Sequence, residues 1–103
     1  MPKGHVKATV NGTTVAEADT YELVEGNIYF PPSAIKAEFF EKTDHHTNCP
    51  WKGDASYYTI KAGDAVLQNA AWYYPDTKQE AQHVKDHVAF DKTNVVISLT
   101  AVA

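Results

Sequence analysis

The sequence predicts a mainly β protein, on the border of the α+β class, with one helix near residues 76–88. Three observations carry that expectation. From His5 to Val10 the residues alternate, with Val6, Ala8 and Val10 on one face and Lys7 and Thr9 on the other, the period of a half-buried strand. Asn11-Gly12 follows, a pair that tolerates positive φ at both centres of a type I′ hairpin turn, so Thr13 to Ala18 reads as the returning arm. About eight short strands against a single helical pattern is the balance of an antiparallel fold rather than a βαβ one.

The remaining elements follow in order. Tyr21 to Val24 and Asn27 to Phe30 read as short strands around a turn at Glu25-Gly26, and Pro31-Pro32 ends the second because proline has no N–H for a ladder. Ser33 to Ile35 reads as one helical turn and Ala37 to Lys42 as a strand. Thr43 to Gly53 has no periodicity, and with Pro50 and Gly53 it reads as a long loop, the kind that often carries function. Ala55 to Lys61 has strand composition, Ala62-Gly63-Asp64 turns the chain, and Ala65 to Asn69 returns, with Ala71 to Tyr74 extended after it. Asp76 and Gln79 have the spacing of a capping box, and Ala81, Val84 and Val88 form the buried stripe of the helix they would open. Thr93 to Thr100 closes the chain as a strand, with Val95, Ile97 and Leu99 expected to face inward. No linker, internal repeat or low-complexity stretch interrupts the pattern, so the expected organisation is a single domain over 1–103.

Composition narrows the function classes. The formal charge is −4, from thirteen acidic residues against nine lysines and not one arginine. Arginine is the usual bidentate partner of phosphate and guanine, and a net-negative chain repels polyanions, so no nucleic-acid partner is expected. No apolar run approaches the roughly 20 residues of a membrane helix, and no membrane partner is expected. Met1-Pro2-Lys3-Gly4-His5 lacks the apolar stretch of a secretory signal, and with one cysteine the expected location is cytoplasmic. Phosphate-loop, dinucleotide, nucleophile-elbow and zinc-protease signatures are missing, and no cofactor is implied.

Chemistry-bearing residues concentrate in two stretches. Cys49 has His45 and His46 four and three residues before it and Lys52 three after, groups able to stabilise a thiolate or take its proton. It equally suits a small buried position at a bend. Lys52, between Trp51 and Gly53, suits an anion anchor or an activated amine, and equally a lysine lying across an aromatic face with its charge in water. Trp51, Tyr57, Tyr58, Trp72, Tyr73 and Tyr74 fall within 24 of the 103 positions, a set fit to wall a pocket or to fill a core. His83 and His87 are four apart and share a helical face that points to solvent, so no metal site is expected.

The strings Tyr29-Phe30-Pro31, Cys49-Pro50-Trp51-Lys52-Gly53 with Ala55 and Tyr57-Tyr58, Ala71-Trp72-x-Tyr74-Pro75 and Val88-Ala89-Phe90 resemble the domain-of-unknown-function family 427. The resemblance spans Tyr21 to the last strand. It implies coiled antiparallel sheets similar to the Mss4-like or β-tent architecture, without the zinc-holding cysteine pairs of many β-tent proteins. Some members carry a nucleotidyltransferase-like label, which needs paired carboxylates and a phosphate loop that this sequence lacks. The resemblance brings no settled activity.

Two expectations of function follow. The first is a small-molecule site, binding or catalytic, formed by Cys49 to Gly53 against Trp72 and Tyr74. In it Cys49, Lys52 and His46 are the candidate catalytic groups, and Trp51, Tyr57, Trp72 and Tyr74 the candidate ligand-binding ones. The second is a non-enzymatic interaction module that binds a protein or a second copy of itself through exposed aromatics.

Overall fold

The computed structural model describes residues 3–101, and in it nine strands form three antiparallel sheets. Strands β1 (Lys3–Val10) and β2 (Thr13–Thr20) form the expected hairpin, with Asn11 at φ 49° and Gly12 at φ 79°. Strands β3 (Glu22–Val24) and β4 (Asn27–Tyr29) form a second one, and Glu25 and Gly26 repeat the same pair of positive φ angles at 53° and 79°. The largest sheet runs β5 (Phe40–Cys49), β6 (Gly53–Ala62), β7 (Ala65–Tyr73), β8 (Val88–Phe90) in that order. The last strand, β9 (Val96–Ala101), returns to pair with β1 and gives the order β2-β1-β9.

Antiparallel partners share a face, so register divides the four-stranded sheet into two surfaces. Tyr58, Ala71 and Phe90 are aligned, as are Ser56, Tyr73 and Val88. Their side packs against β1 and β2, whose Val6, Ala8, Val15 and Ala16 are fully buried, and makes the main core. Tyr57, Trp72 and Ala89 are aligned on the opposite face. There a second, smaller cluster gathers Val24 and Tyr29 from the β3–β4 hairpin with Ala55, Tyr74, Ala81 and Val84. The sheet is therefore covered on both sides, and the second side carries the chemistry.

Four sequence expectations change. Thr43 to Gly53 is no loop: β5 continues to Cys49, and a tight turn at Pro50 to Lys52 leads directly into β6. β5 is an edge strand exposed along most of its length, so it has no hydrophobic alternation to display. The segment from Ala37 begins with a 3-10 turn, Ala37–Phe39, before the strand. The helix near 76–88 is a short 3-10 segment, Gln79–Val84, broken at Ala81 (φ −117°) and preceded by Lys78 without a side-chain cap. Asp76 therefore caps nothing, Ala81 and Val84 are buried as expected, and Val88 belongs to β8. Leu99 lies opposite the buried Val6 but remains 49 % exposed, because β9 is the outer strand of its sheet among the described residues.

Candidate functional site

The second face of the large sheet has a closed end and an open end. The closed end is built on the turn Pro50 to Lys52. Gly53 sits at φ +121°, and a Cβ there would lie 2.7 Å from the backbone oxygen of Asp76, so only glycine lets the chain after Tyr74 approach. That approach is fixed by the Lys78 amide donating to the Lys52 carbonyl at 3.0 Å and by the Lys78 ammonium donating to the Pro50 carbonyl.

Lys52 points inward from this turn and is 5 % exposed. Its Nζ donates to Glu25 Oε1 at 2.6 Å and to the Tyr29 hydroxyl at 3.3 Å. The same nitrogen lies 5.2, 5.4 and 5.8 Å from the ring centroids of Tyr74, Trp51 and Tyr29. Burial works against its charge, but the hydrogen bond to Glu25 and the tyrosine oxygens outweigh that, and its pKa rises above the ordinary lysine value. The hydrogen bond from Lys52 in turn holds the Glu25 carboxyl below its ordinary value. Burial, then the neighbouring Tyr29, pushes the Tyr74 hydroxyl up to about 12. Lys52 is thus a permanently charged, enclosed cation. An amine nucleophile needs the opposite, a pKa depressed toward neutrality.

Cys49 is half-buried beside this cage, paired with Gly53 at the end of β5. His46 does not join it. Residues three apart in a strand point to opposite faces, and His46 pairs with Ser56 on the other side, its Nδ1 3.2 Å from Ser56 Oγ. A cleft of about 410 Å³ lies there, lined by His46 and Ser56 with Asp54, Pro75 and Asp76. The expected pairing of Cys49 with His46 as its base is therefore absent from the geometry.

The open end lies along the same face toward Asn69. A cleft of about 380 Å³ is flanked by the half-buried rings of Tyr57 and Trp72. Asn27 at the start of β4 and Asn69 at a break in β7 contribute carboxamides, and the turn after β8 contributes Asp91, Lys92 and Thr93. Asn69 takes φ 53°, where the β6–β7 register slips, and this turns its side chain out of the strand's alternation. Its Oδ1 accepts from Thr43 Oγ1 at 2.8 Å.

The two ends are joined by one hydroxyl. Trp72 Nε1 and Lys52 Nζ both donate to Tyr29 Oη, each at 3.3 Å. The tip of the β3–β4 hairpin is held from both sides, by Lys52 at Glu25 and by Lys92 Nζ donating to the Gly26 carbonyl at 3.1 Å. Of the residues expected from sequence, Cys49, Trp51, Lys52 and Tyr74 meet at the closed end, Tyr57 and Trp72 line the open one, and His46 is apart. Asn27, Asn69 and Lys92 were not foreseen. The one hint in the sequence was the interruption between Ala65–Asn69 and Ala71–Tyr74, where the strand breaks register.

No curated protein matches the chain. A family model does, over residues 2–100, and the chain therefore belongs to the family described as Domain of unknown function (DUF427), labelled NTP_transf_9.

Proposed function

We propose that the chain is a small-molecule binding module whose site is the cleft between Tyr57 and Trp72. The observation that supports this best is the cleft itself, a recess of about 380 Å³ with two aromatic flanks and carboxamides from Asn27 and Asn69. Ligand sites combine apolar walls with a few convergent polar groups in this way. In this reading Trp51, Lys52 and Tyr74 act as the frame that fixes the hairpin wall, and Cys49 packs against that frame. Binding is favoured over thiol catalysis because the proposed base, His46, is on the other face of the sheet. A cytoplasmic, reducing location suits the free Cys49. Crystals soaked with a library of small ring compounds test the site. The expected result is recurrent density between Tyr57 and Trp72; hits that cluster only elsewhere would sink the reading.

A second reading, self-association, rests on β9. Its residues Val96-Ile97-Ser98-Leu99-Thr100-Ala101 carry no charge, and Val96 and Leu99 are 65 % and 49 % exposed. The edge strands β2 and β5 by contrast carry Glu17 and Asp19, and Glu41, Lys42 and Asp44. Charges on an edge oppose pairing with another chain, and β9 lacks them. A second copy pairing antiparallel about Ser98 would set Ile97 against Leu99 with no like charges opposed. Light scattering over a concentration series should show a dimer that Leu99→Lys abolishes, and a strictly monomeric wild type would remove this reading.

A further inference from the structure

The cleft beside Trp72 is lined by N–H donors that have no protein partner among the described residues. Because Asn69 Oδ1 already accepts from Thr43, the Nδ2 group of Asn69 keeps its hydrogens, with no protein acceptor for them among the described residues. Lys92 uses one of its three donors on the Gly26 carbonyl and retains two. The Thr93 hydroxyl stands on the same turn. The carboxylate on this turn is already engaged through both oxygens: Asp91 Oδ1 accepts from the Thr93 amide at 3.0 Å and Oδ2 from Asn94 Nδ2 at 3.1 Å. The Tyr57 hydroxyl is engaged as well, 2.9 Å from Thr47 Oγ1.

Asn69 is half-buried and Lys92 exposed, so these N–H groups face water in the free protein, and an anionic acceptor gains by exchanging that water for charge-assisted hydrogen bonds. The flanks add a second requirement, a flat or compact ring to lie along Tyr57 and Trp72. Building on the reading of this cleft as a ligand site, we propose that it takes a small ring compound bearing an anionic, acceptor-only head group, a carboxylate or a phosphate. The head group sits on Asn69 Nδ2 and Lys92 Nζ, and the ring lies between the two aromatic side chains. The chain's net charge of −4 slows the approach of such an anion, whereas local donors set its bound state. A cationic ligand would have to compete with the Asp91 turn for its carboxylate.

The two tryptophans supply the test, since the Trp72 indole N–H reports the cleft and the Trp51 indole N–H, at the closed end, is an internal control. Benzoate, phenyl phosphate, benzyl alcohol and benzylamine are titrated separately into the ¹⁵N-labelled full chain. Benzoate or phenyl phosphate should move the Trp72 signal saturably while Trp51 stays still, and the better of the two identifies the head group. Benzyl alcohol and benzylamine should bind about tenfold more weakly or worse, the value of a charge-assisted hydrogen bond. Asn69→Asp keeps the shape and the tolerance of positive φ but replaces donor with acceptor, and should abolish the anion response. Lys92→Gln, an exposed change, should weaken it about tenfold. Equal or tighter binding of benzyl alcohol or benzylamine would overturn the anionic class and leave the cleft as a site. No Trp72 response to any of the four probes would overturn both.

Discussion

One face of one sheet carries two neighbourhoods built from the same residue types with opposite outcomes. At the closed end, aromatic rings and a lysine are packed until the ammonium is sealed, its charge met by Glu25 and by Tyr29. At the open end, aromatic rings and a lysine are held apart, and a cleft of about 380 Å³ remains between them. The difference lies in what the backbone does nearby. Gly53 lets the chain at Asp76 and Thr77 close over the first region, whereas the register slip at Asn69 turns a side chain aside and leaves the second unfilled. The first region positions the second: Tyr29 accepts from both Lys52 and Trp72, and Lys52 anchors the hairpin that supplies Asn27.

Breaking the closed end should therefore cost the most. Gly53→Ala forces a Cβ against the Asp76 oxygen at a φ that alanine avoids, and should destabilise by about 3 kcal/mol in urea denaturation. Lys52→Met removes the ion pair and the cation over three rings while keeping an apolar stem. Glu25 stays solvated at the hairpin tip, so the expected loss is about 2 kcal/mol. The same variant should weaken ring-compound binding at the open end; unchanged binding would show the two ends to be independent.

Trp72→Phe probes the opposite side. It removes the donor to Tyr29 but leaves Lys52 in place, so stability should fall by about 1 kcal/mol or less. Binding of a ring compound should fall about fivefold as the indole flank shrinks. A large loss of stability with binding intact would reverse the roles assigned to the two ends.

Two pH effects sharpen the same contrast. Glu25 has its pKa lowered by the Lys52 hydrogen bond. Its stabilisation is present above its unfolded value, near 4.5, and is lost as pH falls through the folded value. The acid arm of the stability curve should therefore flatten in Lys52→Met. On the other sheet, His5 is clasped by Asp19 and Glu17, and its pKa is raised above 6.5 by those hydrogen bonds. That contribution is complete below its unfolded value and disappears as pH rises through the folded one. His5→Gln should remove this small neutral-range slope and leave ligand binding untouched.

Much of the fold was legible because local rules agreed with it. Asn11-Gly12 announced its hairpin through two residues that tolerate positive φ, and Glu25-Gly26 announced its own through the glycine. The strand β5 was illegible for a physical reason: an edge strand wet on both faces needs no alternation, and its polar residues looked like loop. The helix was misread in kind because Ala81 and Val84 bury at a spacing that a broken 3-10 segment also satisfies. At the site, the Cys49-to-Gly53 stretch and the aromatic pair Tyr57 and Trp72 were found by residue type alone. The partners of Lys52 were not, since Glu25 and Tyr29 lie 27 and 23 residues away and no local pattern encodes that meeting. His46 was assigned to Cys49 on proximity in sequence, and strand geometry separates them.

The division between a sealed cation and an open cleft can be read from lysine chemistry alone. Reductive methylation of the folded chain, followed residue by residue with mass spectrometry, should modify exposed Lys36 and Lys85 quickly. Lys52 should lag by about tenfold or more, reacting only when the closed end opens. If Lys52 instead reacts as fast as Lys36, its ammonium is not enclosed, and the frame on which the cleft depends does not exist.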